Sequence, residues 1–321
     1  MIGLLMRFRG RNPEFGQELS QSQLASNYAD LWETRERIPC LPKSRVVVSS
    51  QIAATRQERV NCAMETRTVQ LVLQYNGAHF AGWQRQPDER TVQGVLEDAM
   101  KRLCGTRVAV LGAGRTDAGV HALGQAAGVI VPLKWTHDSL KRALNAVLPK
   151  DVRVADSHEM KPEFHARYSA LSRSYQYLVG RDDNADSPFR VDRELAWHRS
   201  VDVSILHELA ATILGDRCFR GFAVKGTAPE SDDHRCIVLR SEWVERPGGL
   251  TFMITANRFL HHMVRFLVGT MLDAASGRRD KEVVSRLLES EDNHDVSPPA
   301  PPHGLYLERV EYPSELYMVT A

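Results

Sequence analysis

Val69, Leu71, Leu73 and Tyr75 alternate with more polar neighbours, and Asn76-Gly77 follows. A period of two closed by such a dipeptide predicts a strand ending in a turn. Thr91 then precedes Val92, Val95, Leu96, Ala99, Met100 and Leu103 at helical spacing, with Gly105 beyond. A threonine cap and a C-terminal glycine bound this predicted helix. Val108 to Leu111 and Gly128 to Val131 read as strands. Asp138 reads as the cap of a helix bearing Leu140, Ala143, Leu144 and Val147.

A second cycle follows. Ser172 to Val179 reads as a strand. Asp202 caps a predicted helix bearing Ile205, Leu206, Leu209, Ala210 and Ile213, closed by Gly215. Ile237–Trp243 and Leu250–Ile254 flank Pro247-Gly248-Gly249 as a hairpin. A long helix is predicted from Phe259 to about Ala275, a shorter one from Asp280 to Leu288, and a last strand over Leu305–Tyr312. Two successive sets of strands and helices predict an α+β protein, with halves at 64–170 and 171–321. Residues 1–63 lack sustained periodicity; Leu24–Arg35 reads as a short helix and Val46–Val48 as a short strand. This extension is expected to be poorly ordered and dispensable, upstream of a start at Met64. Its nine Lys+Arg against six Asp+Glu keep a second reading open, a basic arm that touches RNA.

Composition narrows the class. The 321 residues are 43% hydrophobic and 25% charged, the balance of a soluble globular protein. Net charge is +1, so nothing global points to nucleic acid, and charge alone favours a small-molecule enzyme. Five scattered cysteines without a CxxC pair make a poor disulfide framework and predict a reducing, cytoplasmic setting. No apolar run approaches the roughly 20 residues of a membrane span.

The densest unusual stretch runs from Gly112 to Gln125 and contains Gly114-Arg115-Thr116-Asp117-Ala118-Gly119-Val120-His121. A dinucleotide-binding turn would place a third glycine at Asp117, where a carboxylate would instead repel pyrophosphate. The loop reads as one that holds Asp117 close to a bulky ligand, glycine permitting close backbone approach; an ordinary turn with solvated side chains is the alternative. Arg265 lies in the middle of an apolar helix and needs a carboxylate partner, for which Asp117 is a candidate. His261 and His262 lack a third ligand at metal spacing and read as structural histidines, with no metal expected.

These residues carry a family resemblance. The Gly114–His121 segment resembles the signature of the tRNA pseudouridine synthase A family. Four further segments appear in that family's order. They are Gly82-Trp83-Gln84-Arg85-Gln86; Phe164-His165-Ala166-Arg167-Tyr168-Ser169-Ala170, followed by Tyr175-Gln176-Tyr177; Ala256 to Arg265; and Gly304-Leu305-Tyr306-Leu307. The resemblance spans about residues 66–314.

It implies a pseudouridine synthase fold, two α/β halves whose antiparallel sheets join into one central mixed sheet with a cleft between them. It implies a homodimer that isomerises uridine to pseudouridine at positions 38, 39 and 40 of the tRNA anticodon arm, without cofactor. By resemblance Asp117 is the catalytic carboxylate, either attacking C1′ or removing a sugar proton. Arg115 matches the residue that enters the space left by a flipped base, and Tyr175 the tyrosine that packs on the target uracil. As strand residues alone, Tyr175 and Tyr177 would read as ordinary alternating aromatics. Arg265 joins Tyr175 and Arg115 as an expected substrate-binding residue, with Asp117 as its candidate partner. Phe164, His165, Ala166, Arg167 and Tyr168 match a tRNA-contacting segment, and Arg85 and Arg181 are further contacts by position. Lys134, Arg217, Arg220 and Lys225 are weaker candidates. The acidic stretch Val224–His234 departs from the family pattern. An RNA-binding protein without activity is the competing class, which would not need Asp117, Tyr175 and Arg265 together.

Overall fold

The computed structural model describes residues 65–229 and 231–318, which lie in one compact unit, Cys62–Ala321. The expected extension 1–63, with its helix and strand, falls outside the described residues. The predicted α+β character is found: helices pack on a ten-stranded mixed sheet.

Strand β1 (Thr66–Tyr75) buries Val69, Leu71, Leu73 and Tyr75, as its alternation requires. It pairs antiparallel with β3 (His121–Pro132) on one side and β4 (Val152–Met160) on the other. The sheet continues through β10 (Leu305–Glu311), β5 (Ser172–Gly180), β9 (Gly249–Ala256), β8 (Arg235–Arg246) and β7 (Gly215–Cys218). Short strands β2 (Leu111–Gly112) and β6 (Leu195–Ala196) flank β3 and β5.

Strand β10 decides where the site forms. It runs parallel to β3 through Tyr306↔His121 and Leu307↔Ala122, and antiparallel to β5 through Leu307↔Tyr175. One late strand therefore sets the start of β3, directly after the glycine-rich loop, beside Tyr175.

Helix α1 (Val92–Cys104) starts at Thr91, whose hydroxyl accepts from Gly94 N, and ends at Gly105 with φ 76°. Helix α3 (Val203–Thr212) is capped by Asp202, which accepts from Ser204 N and Ile205 N; such a cap contributes about 1 kcal/mol. Helix α2 (His137–Val147) is capped by Thr136 and not by Asp138, which lies in the first turn where its charge suits the helix dipole.

Three strand expectations change. Of the predicted 108–111 strand only Leu111 pairs with the sheet, together with Gly112 beyond it; the Val110 carbonyl accepts from Gln93 Nε2 instead. The predicted strand 128–131 is the tail of the twelve-residue β3, whose first half the glycines disguised as loop. Strand β4 escaped the pattern because its register slips against β1 at Val72/Leu73, moving polar Asp156, Ser157 and His158 into the alternation.

Helix α4 (Met263–Ala275) begins four residues later than expected, after a left-handed His262 at φ 60°. It is buried on most faces and meets the sheet where Trp243 Nε1 donates to Met271 Sδ. Helix α5 (Val283–Glu289) follows.

Candidate active site

The loop between β2 and β3 is tied down at nearly every residue. Ala113 N donates to Ala126 O at 2.8 Å, and Gln125 Nε2 donates to Gly114 O at 3.0 Å. The Thr116 carbonyl accepts from Trp83 N at 3.0 Å, and its hydroxyl bonds the Tyr75 hydroxyl at 2.8 Å. Gly119 N donates to Phe80 O, and Val120 N to Asp117 O. Gly82 lies against this loop with φ 90°; a Cβ there would sit 2.8 Å from Thr116 O and 3.3 Å from the Asp117 carbonyl carbon. The Gly82-Trp83 segment is therefore a support for the loop. These bonds fix the backbone and leave the side chains of Arg115 and Asp117 to project.

Asp117 is partly buried, its side chain 24% exposed. Arg265 Nη1 donates to its Oδ2 at 3.1 Å, as the apolar setting of Arg265 demanded. Arg265 is only 12% exposed and is steered by a second bond, Nε to Ala300 O at 2.7 Å. His262 Nε2 lies 3.2 Å from Oδ2, and His261 Nε2 lies 3.5 Å from Oδ1. The two imidazoles lie tilted against each other with centroids 4.1 Å apart. Burial holds the His262 pKa below the ordinary histidine value, against the raising influence of Asp117.

Both histidines thus belong to the site. Spacing along the chain hid this, because the group they meet, Asp117, lies far away in sequence on the β2–β3 loop. The left-handed turn at His262 swings both rings onto the carboxylate. Among the described residues, Asp117, His261 and His262 offer three ligand-type atoms within 4.8 Å of one another. Arg265 already supplies positive charge at the same carboxylate, so the set fits an ion-paired cluster better than a cation cage.

Tyr175 is buried beside this cluster, edge-on to Phe259 with centroids 5.0 Å apart. Burial raises its pKa, with a smaller push from Tyr75 and Asp117, so it stays a neutral phenol. Arg115 is exposed and has no ion-pair or hydrogen-bond partner among the described residues.

The expected tRNA-contacting segment divides in two. Phe164 and Ala166 are buried: Phe164 packs edge-on to Tyr312, whose hydroxyl donates to Ala166 O. His165 Nδ1 accepts from the backbone of Arg167 and Tyr168, turning those two side chains outward, with Tyr168 78% exposed. Arg85 is paired with Glu97 and Asp98, both on α1. Arg181 follows β5, its backbone bonded to Gly248 O in the β8–β9 turn. Six residues of strand place it about 20 Å along the chain from Tyr175. In the acidic stretch after Val224, Asp232 pairs with Arg258, so part of that charge is internally balanced.

Comparison with known proteins fits this geometry. The family model described as tRNA pseudouridine synthase matches residues 71–169 and 209–313, which include Asp117 and Arg265. A tRNA pseudouridine synthase A of Methylacidiphilum infernorum is 40% identical over 247 residues, covering 76% of this chain and 95% of the relative. The similarly named protein of Methylobacterium sp. is 41% identical, covering 76% and 96%. That of Geobacillus kaustophilus is 38% identical over 252 residues, covering 78% and 96%. The chain belongs to the tRNA pseudouridine synthase family, a family of isomerases.

Proposed function

We propose that this protein isomerises uridine to pseudouridine in tRNA, at positions 38, 39 and 40 of the anticodon arm, with Asp117 as the catalytic carboxylate. The observation that carries the reading is the pairing of Asp117 with Arg265 on a backbone held rigid around it, beside Tyr175. Binding alone would not need a fixed, partly exposed carboxylate.

The reaction breaks the bond from uracil N1 to ribose C1′, turns the base and joins C5 to C1′. One proton leaves C5 and one reaches N1, so nothing is oxidised and no group is donated from outside. In this reading Asp117 acts at the sugar, by attack on C1′ or by removal of a sugar proton. Tyr175 offers a flat apolar surface for the uracil. A base in a stem must first leave the stack, at a cost of a few kcal/mol. Arg115 projects from the same loop as Asp117 and fills the space the base vacates, its guanidinium stacking on neighbouring bases. Arg167 and Tyr168 take the flanking strand, while Phe164 and Ala166 hold their segment in place. Residues 64–170 then supply Asp117 and Arg115, residues 171–321 supply Tyr175 and Arg265, and two copies form the working homodimer without cofactor.

The test is purified protein with an anticodon-arm tRNA transcript in chelator, followed by mapping of modified positions. Pseudouridine at 38–40 is expected, and its loss in Asp117→Asn with tRNA affinity kept within a few fold. An unmodified transcript with folded, tRNA-binding protein would remove the catalytic reading in favour of an RNA-binding one.

A further inference from the structure

Arg173 stands on β5 two residues before Tyr175, so both side chains leave the same face of the strand. Its guanidinium spreads over four main-chain carbonyls. Nη1 donates to Asn257 O at 2.8 Å and Ala170 O at 3.3 Å. Nη2 donates to Arg167 O at 2.6 Å and Ala113 O at 3.1 Å. These acceptors belong to three separate segments. Ala113 opens the loop that carries Asp117. Arg167 and Ala170 lie in the stretch that presents Arg167 and Tyr168. Asn257 begins the turn that delivers His261, His262 and Arg265.

No turn or loop backbone N–H among the described residues bonds any of these four carbonyls. Arg173 is therefore their common partner. The ionisable groups that face it are the neutral phenols of Tyr312 and Tyr175 and the guanidinium of Arg167, and no carboxylate is among them. Burial works against its charge, and only carbonyl dipoles offset that cost. A surface ion pair would not need such an arrangement. A planar fork with donors on both sides can hold two carbonyls on each terminal nitrogen; the single ammonium of lysine cannot reach apart in the same way.

We propose that Arg173 is a positioning residue for catalysis, a clamp that fastens the Asp117 loop to the turn carrying His262 and Arg265 at the edge of the Tyr175 surface. The inference rests on the function proposed above. Asp117 and Arg265 come from segments that no strand ladder joins to one another, and their 3.1 Å contact needs both segments held from a shared point. Arg173 is that point, and it touches no reacting atom.

The experiment measures single-turnover release of tritium from C5 of uridine in tRNA, tRNA affinity by filter binding, and thermal unfolding, on the full chain. Wild-type activity in the same assay separates failure of this inference from failure of the underlying function. For Arg173→Ala the rate is expected to fall about 100-fold with tRNA affinity kept within about threefold, the pattern of a misplaced reacting group. Millimolar guanidinium should restore part of the Arg173→Ala rate and leave Asp117→Asn inactive. Arg173→Lys should fold and remain slow. A wild-type rate in Arg173→Lys overturns the proposal. So does a rate loss explained by the unfolded fraction, or one matched by an equal loss of tRNA affinity. If Arg173→Ala does not fold, the rate of folded Arg173→Lys decides the question alone.

Discussion

Arg265 Nη1 and Asp117 Oδ2 lie 3.1 Å apart although 148 residues separate them along the chain. The carboxylate sits on a loop between strands, and the guanidinium sits on the first turn of a buried helix. Replacing Arg265 by methionine keeps an apolar stem in the helix and removes the charge. Activity on tRNA is expected to fall about 100-fold or more, with little change in tRNA affinity, because the group that orients Asp117 is lost. Steady-state kinetics and filter binding on Arg265→Met check this; an unchanged kcat would mean the pair serves only the fold.

His262 adds a pH dependence. Burial keeps it neutral to a lower pH than an ordinary histidine, and Asp117, Arg265 and His261 are the ionisable groups around it. As pH falls through its lowered pKa, on the acid side of the ordinary histidine value, protonation would place a second cation 3.2 Å from Asp117 Oδ2 and tie up the carboxylate. The rate should therefore decline on the acid side. In His262→Gln this limb should flatten, which a pH–rate profile of both proteins would show.

His121 couples stability to pH. Its Nδ1 accepts from Gly77 N at 3.0 Å and its Nε2 faces Asp192 O at 3.0 Å, so the ring is neutral with the proton on Nε2. Burial lowers its pKa, and that of His303, when the chain is folded. The unfolded chain then binds protons more readily. The stabilising contribution is complete above about 6.5 and is lost as pH falls toward the folded-state value. The melting temperature should drop between neutral pH and pH about 5, and His121→Gln should show a smaller drop. Calorimetry across that range is the measurement.

Gly82 has no room for a side chain beside the Asp117 loop. Its φ of 90° is strained for any other residue, and a Cβ would meet Thr116 O at 2.8 Å. Gly82→Ala should destabilise the protein by about 1–3 kcal/mol and displace the Asp117 loop, lowering kcat even where the protein stays folded. Urea titration together with kinetics at low temperature would separate the two effects.

Arg115 projects into solvent without a partner among the described residues, two positions from Asp117. Arg115→Ala should slow turnover more than it weakens tRNA binding, since a group that replaces a flipped base acts after docking. Equal losses in rate and affinity would make it a simple phosphate contact.

The glycine-rich loop, the capped helix after Thr91 and the need of Arg265 for an acidic partner were all legible along the chain. Each is a local matter: a turn that demands glycine, a cap within three residues, a charge in an apolar run. The roles of Gly82, Thr116, Gln125 and Arg173 were not legible. Each acts through a carbonyl or hydroxyl supplied by a distant segment, and nothing in the residue type announces it. His261 and His262 read as structural because no third ligand lies near them in sequence; the group they meet, Asp117, is brought to them from a distant loop, beside a left-handed backbone at His262.

Net charge pointed away from a polyanionic partner, because acidic residues balance basic ones over the chain. By itself the sequence determined an α+β protein with one chemically loaded loop and one arginine in need of a carboxylate. Only the tertiary structure decided that β10 would slot between β3 and β5, bringing that loop beside Tyr175. Strand order follows from which edges meet and pair across long separations, and hydrophobic periodicity carries no information about that choice.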